Sequence, residues 1–237
     1  MSSVSSSAET ITIGRRYRGP EHSGNGGYTS GRIAAFVDAP TVEVTLRLPP
    51  PLETPLRVER GEVVRVLHGD DLVAEARAAE LDLALPDPVR FAAAAALVAE
   101  QAPDPDHTFP GCFTCGPAGE GLRLSPAPAG GERVVACWRV VDAPPEVVWA
   151  ALDCPGAFAV NPSFARGITV LGRLTATVRS VPEPGDECVV VGWPLGGEGR
   201  KHLAGTAVFR ADEPLAWALA VWISVGNERR DRLPSAR

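Results

Sequence analysis

Long apolar runs are missing from this sequence. The longest, Phe91–Ala99, is less than half of the roughly 20 residues that cross a bilayer. The Met1-Ser-Ser-Val4 start lacks a basic-then-apolar leader. No membrane span and no export signal are expected, and the chain reads as cytoplasmic. An excess of positive charge is missing too. With 29 acidic against 23 basic residues the formal net charge is -6, whereas a nucleic-acid partner needs a basic stripe that displaces counterions. Methionine occurs once and Lys201 is the one lysine. With abundant Ala, Arg, Gly and Pro, that usage is typical of a GC-rich bacterial genome.

A disulfide framework is not expected either. The cysteines, Cys112, Cys115, Cys137, Cys154 and Cys188, are odd in number and confined to the second half, unlike the even sets that staple small secreted modules. The Cys112-x-x-Cys115 spacing suits zinc or dithiol chemistry. A structural zinc site wants four ligands, however, and His107 with Cys137 or Cys154 would have to converge from elsewhere. The expectation is a packed turn, with no metal and no resident cofactor. Cys154 as a nucleophile has no histidine placed beside it by any motif.

What is present is a pattern that occurs twice. Thr41–Leu48 alternates β-formers with polar residues and stops at Pro49-Pro50-Pro51; Leu56–Val58, Gly61–Leu67 and Leu72–Leu85 follow, with His68-Gly-Asp-Asp71 as a hairpin turn. This predicts an antiparallel meander. The order returns as Arg173–Arg179, a Pro-rich turn at Pro182–Pro184, Cys188–Trp193, a Gly-rich turn at Gly196–Gly199, His202–Val208 and Leu215–Ile223. Each copy is preceded by a helical segment: Tyr28–Val37 after Asn25-Gly26-Gly27, and Pro145–Val160 opened by Pro144-Pro145. Between them Pro88–Ala102 is Ala-rich and ends at Pro103-Asp-Pro-Asp-His107, which predicts a linker helix outside the sheet. The organisation is thus an internal repeat: residues 10–86 and 111–225 as two halves, 87–110 as linker, 1–9 and 226–237 as frayed tails. The fold class is α+β, with two central helices each wrapped by an antiparallel sheet and the strands of both copies joined into one sheet.

The second half resembles the hotdog thioesterase superfamily, in particular its phenylacetyl-CoA thioesterase branch. Cys112-Phe-Thr-Cys-Gly116 followed by Gly121-Leu-Arg-Leu124 is similar to the family's opening, Cys-Phe-x-Cys-Gly and then Gly-Leu with a strand. In that family a His-Gly-Gly triplet starts the central helix, and about nine positions on stands an acidic residue in a Leu-Asp context. Here Leu152-Asp153 supplies the acid, but the triplet position holds Pro144-Pro145-Glu146. The first half is the converse, with Asn25-Gly26-Gly27 in the triplet position and Ala34 where the acid belongs. The resemblance therefore implies a double hotdog that keeps one composite site, made from Gly26 and Gly27 of one half and Asp153 of the other.

Thioester hydrolysis needs donors for a developing oxyanion, and backbone amides at a helix start supply them in fixed geometry. Gly26 and Gly27 suit that role because a residue without Cβ lets the carbonyl approach the main chain, and Asn25 could add its side-chain amide. Asp153, between Leu152 and Cys154 in an apolar helix, is the candidate base or nucleophile. His22 and Trp149 are candidate pocket residues, and Arg173, Arg200 and Lys201 are candidate contacts for the phosphates of coenzyme A. Most of Trp138, Trp149, Trp193, Trp217 and Trp222 are expected in the core. The resemblance implies an acyl-CoA or acyl-carrier thioester as substrate, with coenzyme A present as part of it and a homodimer of double-hotdog chains left open. Loss of the triplet histidine from both halves supports a different class, a non-catalytic binder of acyl-CoA or another apolar ligand. A scaffold role is the third class, and a hydratase ranks lower because no histidine accompanies Asp153.

Overall fold

The computed structural model describes residues 9–102, 104, 106–161 and 167–225. The two tails lie outside these residues, save for Glu9, which pairs with Arg60 at the sheet edge. The strands are β1 (Thr10–Ile11), β2 (Thr41–Leu46), β3 (Leu56–Glu59), β4 (Val64–His68), β5 (Asp71–Ala78), β6 (Ala127–Pro128), β7 (Val134–Arg139), β8 (Ile168–Val178), β9 (Glu187–Glu198), β10 (Lys201–Arg210) and β11 (Glu213–Val225). The helices are α1 (Gly26–Ala34), α2 (Phe91–Ala99), α3 (Pro145–Ala151) and α4 (Cys154–Val160). Among the described residues no helix is long and apolar enough to cross a membrane.

Among the described residues the eleven strands form one sheet in the order β1-β3-β4-β5-β2-β8-β11-β10-β9-β7-β6. Outward from the central β2·β8 pair the two arms run in corresponding order, β2-β5-β4-β3-β1 one way and β8-β11-β10-β9-β7 the other, with β6 added at the end of the second. The central pair is antiparallel, with Val42 opposite Ala176 and Val44 opposite Leu174, so its own ladder relates the two arms by a local two-fold. The meander expected from Thr41 onward is corrected here. Strands β3, β4 and β5 are consecutive neighbours, but β2 pairs with β5 and not with β3. The chain crosses the width of the arm through the Pro-rich segment 49–55, in which backbone donors are scarce. The last strand of that arm ends at Ala78, short of Leu85, because the stretch 79–90 finds no further strand to pair with.

The period of two sets what each face does. On β9, Cys188 and Val190 face the main core with α1, α3 and α4, whereas Val189, Val191 and Trp193 face the other way into a second cluster. Helix α2 covers that second cluster with Ala94, which is fully buried, and with Leu97 and Val98. The linker helix therefore lies on the outer face of the sheet, trimmed from Pro88–Ala102 to Phe91–Ala99. On the inner face α1 and α3 pack directly on each other. A Cβ on Gly27 would stand 2.5 Å from the Trp149 carbonyl oxygen, and one on Gly31 would stand 2.6 Å from Glu146 Cα. The Gly27-x-x-x-Gly31 spacing thus lets two backbones meet without side chains between them.

Candidate active site

The expected single helix Pro145–Val160 is two helices, and the break creates the site. Pro155 lacks an N–H and its ring opposes the carbonyl four residues back, so α3 ends at Ala151 and α4 begins at Cys154. Asp153 sits in the break with φ -77° and ψ -88°. Two carbonyls at the break take side-chain donors: Thr114 Oγ1 donates to Ala150 O at 2.9 Å, beside the Asp153 N–H at 3.2 Å, and Thr206 Oγ1 donates to Leu152 O at 2.8 Å. Both threonines are fully buried, and buried carbonyls without partners are costly.

Opposite the break stands the start of α1. Asn25 is its N-cap, accepting the Tyr28 N–H through Oδ1 at 2.8 Å. Its Nδ2 donates to Thr114 Oγ1 at 3.2 Å and to Cys112 Sγ at 3.7 Å. The Gly27 N–H donates to Asp153 Oδ2 at 2.9 Å, so groups 126 positions apart in sequence are joined directly. Asp153 is 3% exposed, and its second oxygen, Oδ1, has no hydrogen-bond partner. Burial is the main reason its carboxyl is pushed up to about 7, against the Gly27 N–H, which favours the charged form. A carboxylate with one oxygen tied and one free, in a dry setting beside a helix start, can accept a proton or attack a carbonyl.

The remaining sequence candidates are placed as follows. Gly26 is half-buried at the first position of α1, next to Leu171 and Leu46. Trp149 is buried in the main core, with its backbone against Gly27. His22 is exposed in the turn before Ser23 and makes no hydrogen bond to Asp153. Arg173 is held at the β2·β8 seam, 3.4 Å from Glu43 and 3.0 Å from Thr45 Oγ1. Arg200 and Lys201 line a cavity of about 340 Å³ with Glu198 and Ile223 at the β9–β10 hairpin. A larger cavity, about 540 Å³, lies between that hairpin and the end of α4, lined by Phe158, Val160, Pro194 and His202 among others. Neither cavity is lined by Asp153 or Gly27.

Sequence reasoning missed Thr114 and Thr206. Thr114 could have been noticed as the polar residue inside the Cys-x-x-Cys turn, but no local signal marks Thr206, a strand residue among apolar neighbours. It also missed a stack over α1, with the Tyr17 and Tyr28 rings 3.8 Å apart and Phe113 edge-on to both.

No family model and no curated protein matches the chain. Solved structures do. A protein from Novosphingobium aromaticivorans, provisionally named a thioesterase, is similar at TM-score 0.59 and 15% identity over 92% of this chain and 95% of that one. A conserved protein of unknown function with hot dog fold from Alicyclobacillus acidocaldarius gives 0.55 and 13% over 94% and 95%. An acyl-CoA thioesterase II, TesB2, from Mycobacterium marinum gives 0.51 and 13% over 78% and 79%. At these identities the likeness is one of fold, and the fold is the hotdog.

Proposed function

We propose that the chain is a tandem double hotdog that hydrolyses an acyl-CoA or acyl-carrier thioester at the composite site of Gly27 and Asp153. The observation that carries this reading is the direct contact between the Gly27 amide of α1 and the buried Asp153 carboxylate in the α3–α4 break. Each arm of the sheet contributes what the other lacks, an amide from the first and an acid from the second. The Cys112-Phe-Thr-Cys-Gly116 and Gly121-Leu122 segments support the phenylacetyl-CoA-type branch, and the names of similar structures support a thioester as substrate class.

In this mechanism the thioester carbonyl oxygen takes the Gly27 N–H, releasing Oδ2 of Asp153. The carboxylate accepts a proton from water as the water oxygen bonds to the carbonyl carbon. Negative charge on the carbonyl oxygen is held by the amide and the start of α1. Collapse breaks the C–S bond, and the leaving thiolate takes the proton from Asp153, which returns as carboxylate. Asn25, with both side-chain groups engaged, holds the helix start in place and does not touch the carbonyl.

A second reading has its own observation: the Gly27 amide is already satisfied, and the larger cavity lies at the end of α4. This favours a binder that holds an acyl-CoA without turnover. Hydrolysis of a panel of acyl-CoAs, followed by thiol release, separates the two. Asp153→Asn should lower the rate by about 10²–10⁴-fold with the far-ultraviolet spectrum unchanged. Ligands that raise the melting temperature while no thiol appears from any of them would exclude the enzyme and leave the binder.

A further inference from the structure

The Cys112-x-x-Cys115 turn and the α3–α4 break bring three sulfurs together. Sγ of Cys112 lies 3.7 Å from Sγ of Cys154, and the sulfurs of Cys112, Cys115 and Cys154 all lie within 4.8 Å of one another. The convergence that the linear sequence leaves unanswered is supplied by Cys154; Cys137 is on the outer face, against the Phe91 carbonyl. We infer that Cys112, Cys115 and Cys154 form a metal site for Zn²⁺, holding the ion by three thiolates with the fourth position left to water.

Two sulfurs bound to one tetrahedral zinc at about 2.3 Å are about 3.8 Å apart. The Cys112–Cys154 separation already has that value, and the widest pair needs to close by at most about 1 Å to reach it. The turn itself is built tightly. The Gly116 N–H donates to Cys112 O at 2.9 Å, and a Cβ on Gly116 would collide with the backbone of Cys112 and Pro110. Nδ2 of Asn25 donates to the Cys112 sulfur at 3.7 Å. An N–H donor to the sulfur is the kind of partner that a metal-bound thiolate takes. Soft thiolates select zinc over the hard divalent cations. A buried cysteine by itself is an ordinary small apolar residue; these three pack with Phe109 and Phe158, and what sets them apart is the approach of three sulfurs to within 4.8 Å of one another.

The inference does not rest on the hydrolysis reading, because it is decided without any thioester. The full-length chain, reduced with a phosphine and stripped by a chelator, is titrated with Co²⁺. One equivalent should produce sulfur-to-cobalt charge-transfer absorption and the intense visible bands of a tetrahedral site, and one equivalent of Zn²⁺ should bleach both. Cys112→Ser and Cys154→Ser should lose the charge-transfer band, while Cys137→Ser and Cys188→Ser keep it. A folded wild type that shows no such band, or folded Cys112→Ser and Cys154→Ser variants that keep it, overturns the site. Should the serine variants not fold, the wild-type titration decides, since a thiolate site cannot bind Co²⁺ without that band.

Discussion

At the scale of single residues, burial of titratable groups is what distinguishes this core. Asp153 was legible as a candidate because Leu152-Asp153 sits where the resemblance asks for an acid, but its free oxygen and its contact with Gly27 depend on a packing that no local sequence encodes. Cys188 illustrates the other kind, a group whose ionisation was invisible in sequence. It is fully buried in β9 facing the main core. Its thiol is pushed up to about 12, first by burial and then by Asp186, with Arg210 opposing. In the unfolded chain such a thiol titrates near 8.5. The folded value is the higher one, so the protonated thiol is favoured by folding. Its contribution is fully present below about pH 8.5 and is lost as the pH rises towards 12, where the unfolded state binds fewer protons. Denaturant unfolding of the wild type between pH 9 and 11 should therefore lose about 1.4 kcal/mol per pH unit from this residue. Cys188→Ala should start from a lower stability but decline less steeply, by about one proton. Equal slopes would mean that Cys188 does not stay protonated in the fold.

At the scale of elements, the strands were legible and the helices were less so. Alternation in Thr41–Leu46 follows from one face lying deeper than the other, and the continuous apolar run Cys188–Val191 from burial on both faces; neither needs knowledge of neighbours. The α3–α4 break is different. Pro155 warns of it, but a proline in the first turn of a new helix and a kinked continuous helix have the same sequence. The carbonyl of Leu152 at the break takes its donor from Thr206, which comes from a strand 54 positions later. Thr206→Val keeps the shape and removes the donor, leaving Leu152 O buried without a partner. The cost expected is about 1–3 kcal/mol, seen as a lower denaturant midpoint with an unchanged slope. Because Leu152 precedes Asp153, thioester hydrolysis should fall as well. A neutral Thr206→Val would show that the Thr206 donor does not hold the break.

At the scale of the whole molecule, two copies of a strand pattern were readable, yet nothing in either copy says which strands meet. The seam β2·β8 places Val42 and Val44 against Ala176 and Leu174, all buried, while α1 lies on α3 through Gly27 and Gly31. An isolated arm would expose a long central edge with its unpaired backbone groups, together with a helix face made for another helix. Exposed edges of that kind pair with whatever strand they meet. The segment 79–90 carries no strand; its Leu83, Leu85 and Val89 pack, partly buried, on the outer cluster, and α2 packs on β6, β7 and β9 of the second arm. A cut after residue 86 should therefore leave α2 with its own sheet and interrupt no ladder. The two pieces, co-expressed, should purify as a one-to-one complex that hydrolyses the thioesters cleaved by the intact chain. Each alone should be inactive and prone to aggregate, since the first piece lacks Asp153 and the second lacks Gly27. The association cost of an untethered pair makes the complex dissociate on dilution, so activity per mole of protein should fall on dilution of the cut protein and stay constant for the intact one. Activity in the second piece by itself would place the chemistry within one arm, and the composite site would have to be abandoned.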